Sequence, residues 1–413
     1  MERATDSATN MVPSRTLPTK TIGYLSAAPR VSTRPDAALS GPRSHVLGVI
    51  RAFEALGWEV KPYIVGDRSP FAATSEGTES NTLTRYARPL LADVVRLGMG
   101  VLNSRRAWWE LKGQVDWVYE RLATLQILGS LFKRRKIPWI LETNAPLFYE
   151  AKVDRESLLL SGLARWIEIQ AYRRCDVLVC VSESLKEILV HESSISPEKV
   201  IVVPNGVDTQ FFDPKCHQPR RVFDGLTLGF VGSLVAWQRL DLLLEAMRDL
   251  REEGLDLSLV VVGGGPMKTA WEALAERLGI SSNVTFVGYV TWSEVPRYIA
   301  GFDIGYSGQV ELQIGKMYLS PLKLYEYMAM AVPVMASAFE DAQRVVREEE
   351  SGFLFQPGSI DDLKRALLKA YRLRTALPEM GSKARKEIVA NHSWTARTRK
   401  LIEDIESILV TRE

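Results

Sequence analysis

Short runs rich in Val, Ile and Leu alternate with helix-length segments along almost the whole chain, which predicts α/β units built on parallel sheets. Thr21–Ser26 opens the series as a strand. Val46, Val49, Ile50 and Phe53 then recur at helical spacing within Val46–Leu56, and Gly57 is placed to end that helix. Glu59–Val65, Trp117–Tyr119, Trp139–Leu141, Asp176–Val181 and Val200–Val203 read as further strands of the same sheet, with helices between them. Periodicity lapses where Pro204, Gly206, Pro214 and Pro219 punctuate the chain, so a domain boundary is expected between about 205 and 225. A second series runs through Leu226–Val231, Leu257–Val262, Val284–Val287, Ile304–Tyr306 and Pro333–Met335, with helical segments such as Leu240–Leu250 and Pro266–Leu278. Two α/β domains of similar size follow, 21–210 and 211–385, after a Ser/Thr/Pro-rich tail over 1–20 that reads as disordered. A last helical segment within 386–413, Trp394–Leu409, would pack back across both.

Composition narrows the partners. The 52 Lys+Arg and 50 Asp+Glu give a net charge of +2, too small for the broad basic field that nucleic acid requires. The charge is uneven, +4 through Asp208 and −2 beyond it. Cys175, Cys180 and Cys216 form neither a disulfide framework nor a zinc spacing, so a reducing, cytoplasmic setting is expected. The most apolar stretch, Leu122–Phe132, is too short and too polar to span a bilayer, and the tail lacks the apolar core of a secretory signal.

Ligands of open parallel sheets bind beyond the carboxyl ends of the strands, so the loops there carry the candidate chemistry. Gly232-Ser-Leu-Val-Ala-Trp-Gln-Arg239 joins a strand to a helix and offers backbone N–H groups and a cation to an anion; a plain strand-to-helix turn is the alternative. Gly263-Gly-Gly-Pro266 occupies a similar position and reads either as a close approach to a ligand or as a tight turn. Ser320, Lys323 and Glu326 begin an apolar helix, with Lys323 and Glu326 nearly on one face. A lysine there opposes the helix dipole, whereas a bound phosphate would satisfy both; a surface ion pair is the bland reading.

Asn205-Gly-Val-Asp-Thr-Gln-Phe-Phe-Asp-Pro214, Gly229-Phe-Val-Gly-Ser233, Val260-Val-Val-Gly-Gly-Gly-Pro266, Val284-Thr-Phe-Val-Gly288, Ser320-Pro-Leu-Lys-Leu-Tyr-Glu-Tyr-Met-Ala329 and Ser351-Gly-Phe-Leu-Phe355 form an ordered series. In order and spacing it resembles the retaining GT-B glycosyltransferases of family 4, the glycosyl transferases group 1, over about 22–405. That resemblance implies an α/β GT-B fold, with two Rossmann-like doubly wound parallel-sheet domains facing a central cleft. It implies a nucleotide-sugar donor, a UDP-sugar first among them, held by 211–385. The acceptor, a saccharide, lipid-linked or small molecule, would be held by 21–210, and no cofactor is needed. By the same resemblance Glu326 binds the donor ribose, and Ser320, Leu322 and Lys323 hold the diphosphate. Gly288 and Tyr289 lie near the base, Gly232, Ser233 and Arg239 form the other phosphate loop, and Gly263 and Gly264 complete the donor side. Lys323 and Arg239 are the expected catalytic cations.

Three positions depart from the pattern. Tyr318 stands where the family carries the first acid of E-x7-E, Gln238 where it commonly carries a phosphate-binding lysine, and Pro321 removes one N–H from the cradle. Arg239 is the expected substitute for the missing lysine, and Ser320 Oγ for the missing N–H. On the acceptor side Ser40-Gly-Pro-Arg-Ser-His45 is expected as a Gly-rich loop presenting Gly41, Arg43 and His45, with helix capping or core packing the alternative for His45. Glu142 and Asn144 would bond sugar hydroxyls or merely cap a loop, and Glu120-Arg121 would point at the same cleft edge, with a salt-bridged rim the alternative. No D-x-D occurs, so transfer without a metal is expected. The rival readings are a nucleotide-sugar epimerase or hydrolase on the same fold, and a non-catalytic sugar-nucleotide-binding protein. Lys133, Arg134, Arg135 and Lys136 offer a peripheral contact to the inner face of a membrane, or a solvated turn.

Overall fold

The computed structural model describes residues 20–35, 37, 40–68, 82–153 and 158–411. The first sheet contains β1 (Thr21–Ser26), β2 (Glu59–Ile64), β3 (Trp117–Arg121), β4 (Trp139–Glu142), β5 (Val177–Cys180) and β6 (Val200–Val202), in the order β2-β1-β3-β4-β5-β6. The second contains β7 (Leu226–Val231), β8 (Leu257–Val262), β9 (Val284–Gly288), β10 (Ile304–Ser307), β11 (Val334–Ser337) and β12 (Gly352–Phe355), in the order β12-β11-β10-β7-β8-β9. Every pairing is parallel. Helices cover both faces of each sheet, which is why central strands such as β4, β5 and β8 are apolar without alternation.

Along β1, Ile22 and Tyr24 face a cluster with Val46, Phe53, Leu401 and Ile405, whereas Leu25 faces Val118, Leu141 and Leu178 on the other side. The last helix, Trp394–Val410, thus completes the core of the first sheet. The preceding helix, Leu377–Asn391, packs Ala384 and Ile388 against Leu324, Tyr327 and Met328 of the second. Two chain segments therefore pass between the sheets, and they are tied together: Val207 N donates to His392 O at 3.2 Å and Trp394 N to Val207 O at 3.1 Å.

The short strand β12 and the helices Ile360–Arg372 and Leu377–Asn391 lie outside the predicted pattern; the 30-residue helix Thr82–Leu111 falls between β2 and β3, where a helix is expected, but its apolar residues do not mark an inward face. The segment expected as a loop before Val46 is already helical, because the helix starts at Gly41. Ser40 caps it, its Oγ accepting from Arg43 N at 3.3 Å, and Pro42 sits in the first turn where a missing N–H costs nothing.

Candidate active site

The carboxyl ends of both sheets open on one cleft of about 580 Å³ between the domains. On the second-domain side, the loop after β7 meets the loop after β8 backbone to backbone. A side chain on Gly263 would collide with the Gly232 carbonyl, and one on Gly265 with that of Leu234; both glycines hold left-handed φ, +131° and +157°. Gly263 N donates to Gly288 O at 2.8 Å, so Gly288 fixes the loop from behind. Gly264 lies under the Tyr289 ring, which is itself 83% exposed and forms an open aromatic platform at the cleft wall.

Lys323 and Glu326 lie on the first turns of the helix Leu322–Ala329 and are both buried while lining the cleft. Lys323 Nζ donates to Gln238 Oε1 at 2.7 Å and sits 3.9 Å from the Phe230 ring centroid. Burial draws the Lys323 amine down to about 7, against the opposing pull of Glu326. Burial likewise pushes the Glu326 carboxyl up to about 7, with Lys323 working the other way. The pair is thus poised near neutrality at the positive end of a helix, where an arriving anion would fix the lysine in its charged form.

Across the cleft, His45 begins a run of polar contacts that reaches the second domain through Asn205. Its Nε2 lies 2.6 Å from Glu142 Oε1 and its Nδ1 lies 2.8 Å from Asn205 Oδ1. Asn205 Nδ2 in turn donates to Ser320 O at 2.6 Å, and Asn205 N to Ser320 Oγ at 2.9 Å. Because Nδ2 is committed to a carbonyl, Oδ1 must accept, so His45 donates from Nδ1 and turns Nε2 to Glu142. Burial alone would raise the Glu142 carboxyl, but His45 and Arg121 outweigh it and hold Glu142 below the usual carboxylate range. Arg121 Nη1 lies 3.9 Å from Glu142 Oε2 and, with the Asn144 amide turned so that its oxygen faces the guanidinium, donates to that oxygen at 2.8 Å; both Arg121 and Asn144 line the cleft.

The structure brings together Gly41, His45, Asn144, Gly232, Ser233, Gly263, Tyr289, Ser320, Leu322, Lys323 and Glu326 at the cleft wall. Five expected residues take other places. Gly264 and Gly288 support the glycine loop from behind. Arg239, expected to replace the missing lysine, does not reach the cleft: its backbone is left-handed at φ 46°, and its Nε pairs with Asp241 at 3.1 Å. Gln238 itself fills the position and holds Lys323. Arg43, expected in the cleft, turns away to donate to the carbonyls of Ser32 at 3.1 Å and Arg34 at 2.8 Å. Glu142 stands behind His45 and offers nothing to a ligand directly. Ser320 Oγ is engaged by the Asn205 amide, which weakens its expected role as the substitute for the N–H lost at Pro321.

Sequence reasoning also misplaced Glu120, beside a correctly placed Arg121, and passed over Asn205. Successive strand residues point to opposite faces, so Arg121 enters the cleft while Glu120 is buried, accepting from Leu128 N at 2.6 Å and Gly129 N at 2.8 Å. Asn205 stood within a quoted motif, but only the fold reveals that it reads Ser320 across the domain junction. Tyr318 does more than remove a carboxylate. Its ring is buried among first-domain residues, its hydroxyl donates to Glu150 at 3.0 Å, and its carbonyl accepts from Ser182 Oγ at 2.7 Å.

Two parallel-sheet domains closing on such a cleft define the GT-B class, and solved structures share the arrangement. Sucrose-phosphate synthase from Thermosynechococcus elongatus matches with a TM-score of 0.69 at 17% identity, over 95% of this chain and 100% of that one. Anabaena HepE, solved in complex with UDP, gives 0.60 at 14% identity, over 94% and 100%. Residues 218–387 match the glycosyl transferases group 1, and residues 39–211 match glycosyltransferase family 4. A D-inositol 3-phosphate glycosyltransferase of Stackebrandtia nassauensis is 32% identical over 314 residues, 73% of this chain and 67% of that protein. The chain belongs to this family of group 1 glycosyltransferases. A GDP-mannose-dependent alpha-(1-6)-phosphatidylinositol monomannoside mannosyltransferase of Mycobacterium tuberculosis is 27% identical over 215 residues, 49% of this chain. The match spans 54% of that relative's length, and 58% of a Methanocaldococcus jannaschii glycosyltransferase 24% identical to this chain.

Proposed function

We propose that this chain transfers a sugar from a nucleoside-diphosphate sugar to a saccharide, lipid-linked or small-molecule acceptor, with retention of anomeric configuration. The observation that carries the reading is the buried Lys323/Glu326 pair at a helix start, facing two interlocked glycine turns and, across the cleft, His45, Asn144 and Arg121. The second domain holds the donor, its ribose hydroxyls on Glu326, its diphosphate at Lys323 and the Leu322–Ala329 helix start, and its base near Tyr289. The first domain holds the acceptor near Asn144 and Arg121.

In the reaction the bond from the anomeric carbon to the diphosphate oxygen breaks, and its electron pair leaves with the diphosphate. The acceptor oxygen bonds to the same face of that carbon, and its proton passes to the departing phosphate oxygen. Negative charge grows on the leaving group, so Lys323 and the helix N–H groups stabilise the transition state more than the ground state. With Arg239 turned away, Lys323 is the principal catalytic cation, and the reaction proceeds without a metal.

A UDP-sugar is the proposed donor because Anabaena HepE was solved with UDP and with UDP-glucose, although the mycobacterial relative uses GDP-mannose. Thermal shift with a panel of UDP- and GDP-sugars tests this: one donor should raise the melting temperature by mass action. Product configuration by NMR then tests retention. Incubating that donor alone separates the rivals, since an epimerase or hydrolase would consume it without an acceptor and a binding protein would leave it intact even with one. Among the described residues no helix is long and apolar enough to cross a membrane. The proposed setting is the cytoplasm, with contact at the inner face of the membrane.

A further inference from the structure

The helix Thr82–Leu111 is built inside out. Asp93 is fully buried, and Asn103, Ser104 and Ala107 also face inward. Outward stand Leu90, Leu91, Val94, Val95, Val101, Leu102 and Trp109, with Leu91 65% and Trp109 67% exposed. At about 100° per residue, Leu91, Val95, Leu102 and Trp109 fall within about 40° of one line, so the stripe runs along the helix rather than around it. Asp93 is held on the inner side, where its carboxylate accepts from Leu159 N at 2.9 Å and Leu160 N at 3.0 Å and so ties that turn to the helix. Eight of the fifteen large apolar side chains exposed among the described residues belong to this one helix. An apolar face this concentrated marks a docking site, since a soluble helix turns that face inward.

Charge identifies what docks. Arg105 and Arg106 are exposed at the far end of the stripe and form no ion pair among the described residues. Trp108 packs on Phe132 and lies 5.9 Å from the Arg135 guanidinium, which brings exposed Arg134, Arg135 and Lys136 to the same end. A second copy laid along the stripe would desolvate Arg105 and Arg106 without partners. A bilayer instead takes Leu91, Val95 and Leu102 into its acyl boundary, seats Trp109 at headgroup level, and pairs the cations with lipid phosphates.

We propose that this face docks the protein onto an anionic lipid bilayer, with the Lys133–Lys136 cluster as its flank rather than its centre. The position of the cleft gives the docking a purpose. The same helix holds the loops beyond β3 and β4, Ser104 Oγ donating to Leu128 O at 3.1 Å and Leu97 packing near Phe148. Those strand ends carry Arg121 and Asn144, so docking sets the acceptor side of the cleft one helix away from the lipid. On the transferase reading, the acceptor is then lipid-linked.

Flotation tests the surface with phosphatidylcholine vesicles, with and without about a third phosphatidylglycerol. The protein should float with anionic vesicles at low salt and bind them at least about tenfold more tightly than neutral ones, losing much of the preference at high salt. Leu91→Glu/Val95→Glu should abolish flotation, and Arg105→Glu/Arg106→Glu should weaken it about tenfold or more. Donor-induced thermal shift should survive in both, because neither pair lies in the cleft. Absence of wild-type flotation overturns the proposal, as does flotation untouched by either pair. A dimer in sedimentation that Leu91→Glu/Val95→Glu dissolves, without vesicle binding, would assign the face to a second copy instead. Lost donor shift with intact flotation would count against the transferase reading alone.

Discussion

Replacing Lys323 by methionine keeps the volume and removes the charge, and should lower activity while raising stability. The amine has one neutral hydrogen-bond partner, Gln238 at 2.7 Å, and one aromatic face, Phe230 at 3.9 Å. Two unit charges about 4 Å apart at an effective dielectric of about 20 interact by about 4 kcal/mol. Losing most of that from the transition state corresponds to about 10² to 10³ in kcat. Stability moves the other way. An unfolded lysine titrates near ~10.4, whereas folded Lys323 titrates at about 7. Between these values the unfolded chain binds the extra proton, so wild-type stability rises with pH; below about 7 both states are protonated and the full penalty is present. Burial keeps Glu326 largely protonated at about pH 6, so Lys323→Met orphans no charge there. The variant should therefore melt higher than wild type at about pH 6, and the gap should close toward about pH 10. Nucleoside diphosphate release measures kcat, and thermal unfolding across pH measures the rest. A kcat within about threefold of wild type, or a variant that melts lower at about pH 6, would refute the reasoning.

Arg239→Gln should leave kcat within about twofold, because its partly exposed pairing with Asp241 is worth about 1 kcal/mol at most and its side chain does not reach the cleft; a hundredfold loss would restore it as a catalytic cation. Asn205→Ala should cost about 2 to 3 kcal/mol in denaturant unfolding by leaving His45 and the Ser320 carbonyl unpaired, and should lower kcat by loosening the phosphate cradle. Wild-type stability there would mean that the junction is held elsewhere. Gly263→Ala should destroy donor-induced thermal shift, since its methyl group meets the Gly232 carbonyl at a left-handed φ. Turnover should persist in EDTA, and its loss would show that Lys323 is not sufficient to neutralise the leaving group.

The fold was largely legible because buried parallel strands are continuous apolar runs, and β1, β5, β7 and β8 announced themselves that way. The helix Thr82–Leu111 was not, because the usual signal assumes that apolar residues face inward, and here Asp93 does. Lys323, Glu326 and Gly263 were found because a helix start and a glycine turn fix the geometry within a few residues. Arg239 and Arg43 were misplaced for the same local reason: a basic residue beside a loop says nothing about which way its side chain turns.

By itself, the sequence determined the two α/β series, the glycine turns and the placing of Lys323 and Glu326 at a helix start, all of which depend on contacts between near neighbours. Only the tertiary structure decided what joins across long separations. It set Gln238 rather than Arg239 against Lys323, tied His45 to Ser320 through Asn205, and buried Tyr318 in the first domain. Such pairings are set by how the domains meet, because a side chain's partner is whatever packing brings within hydrogen-bond reach, and no local spacing encodes that.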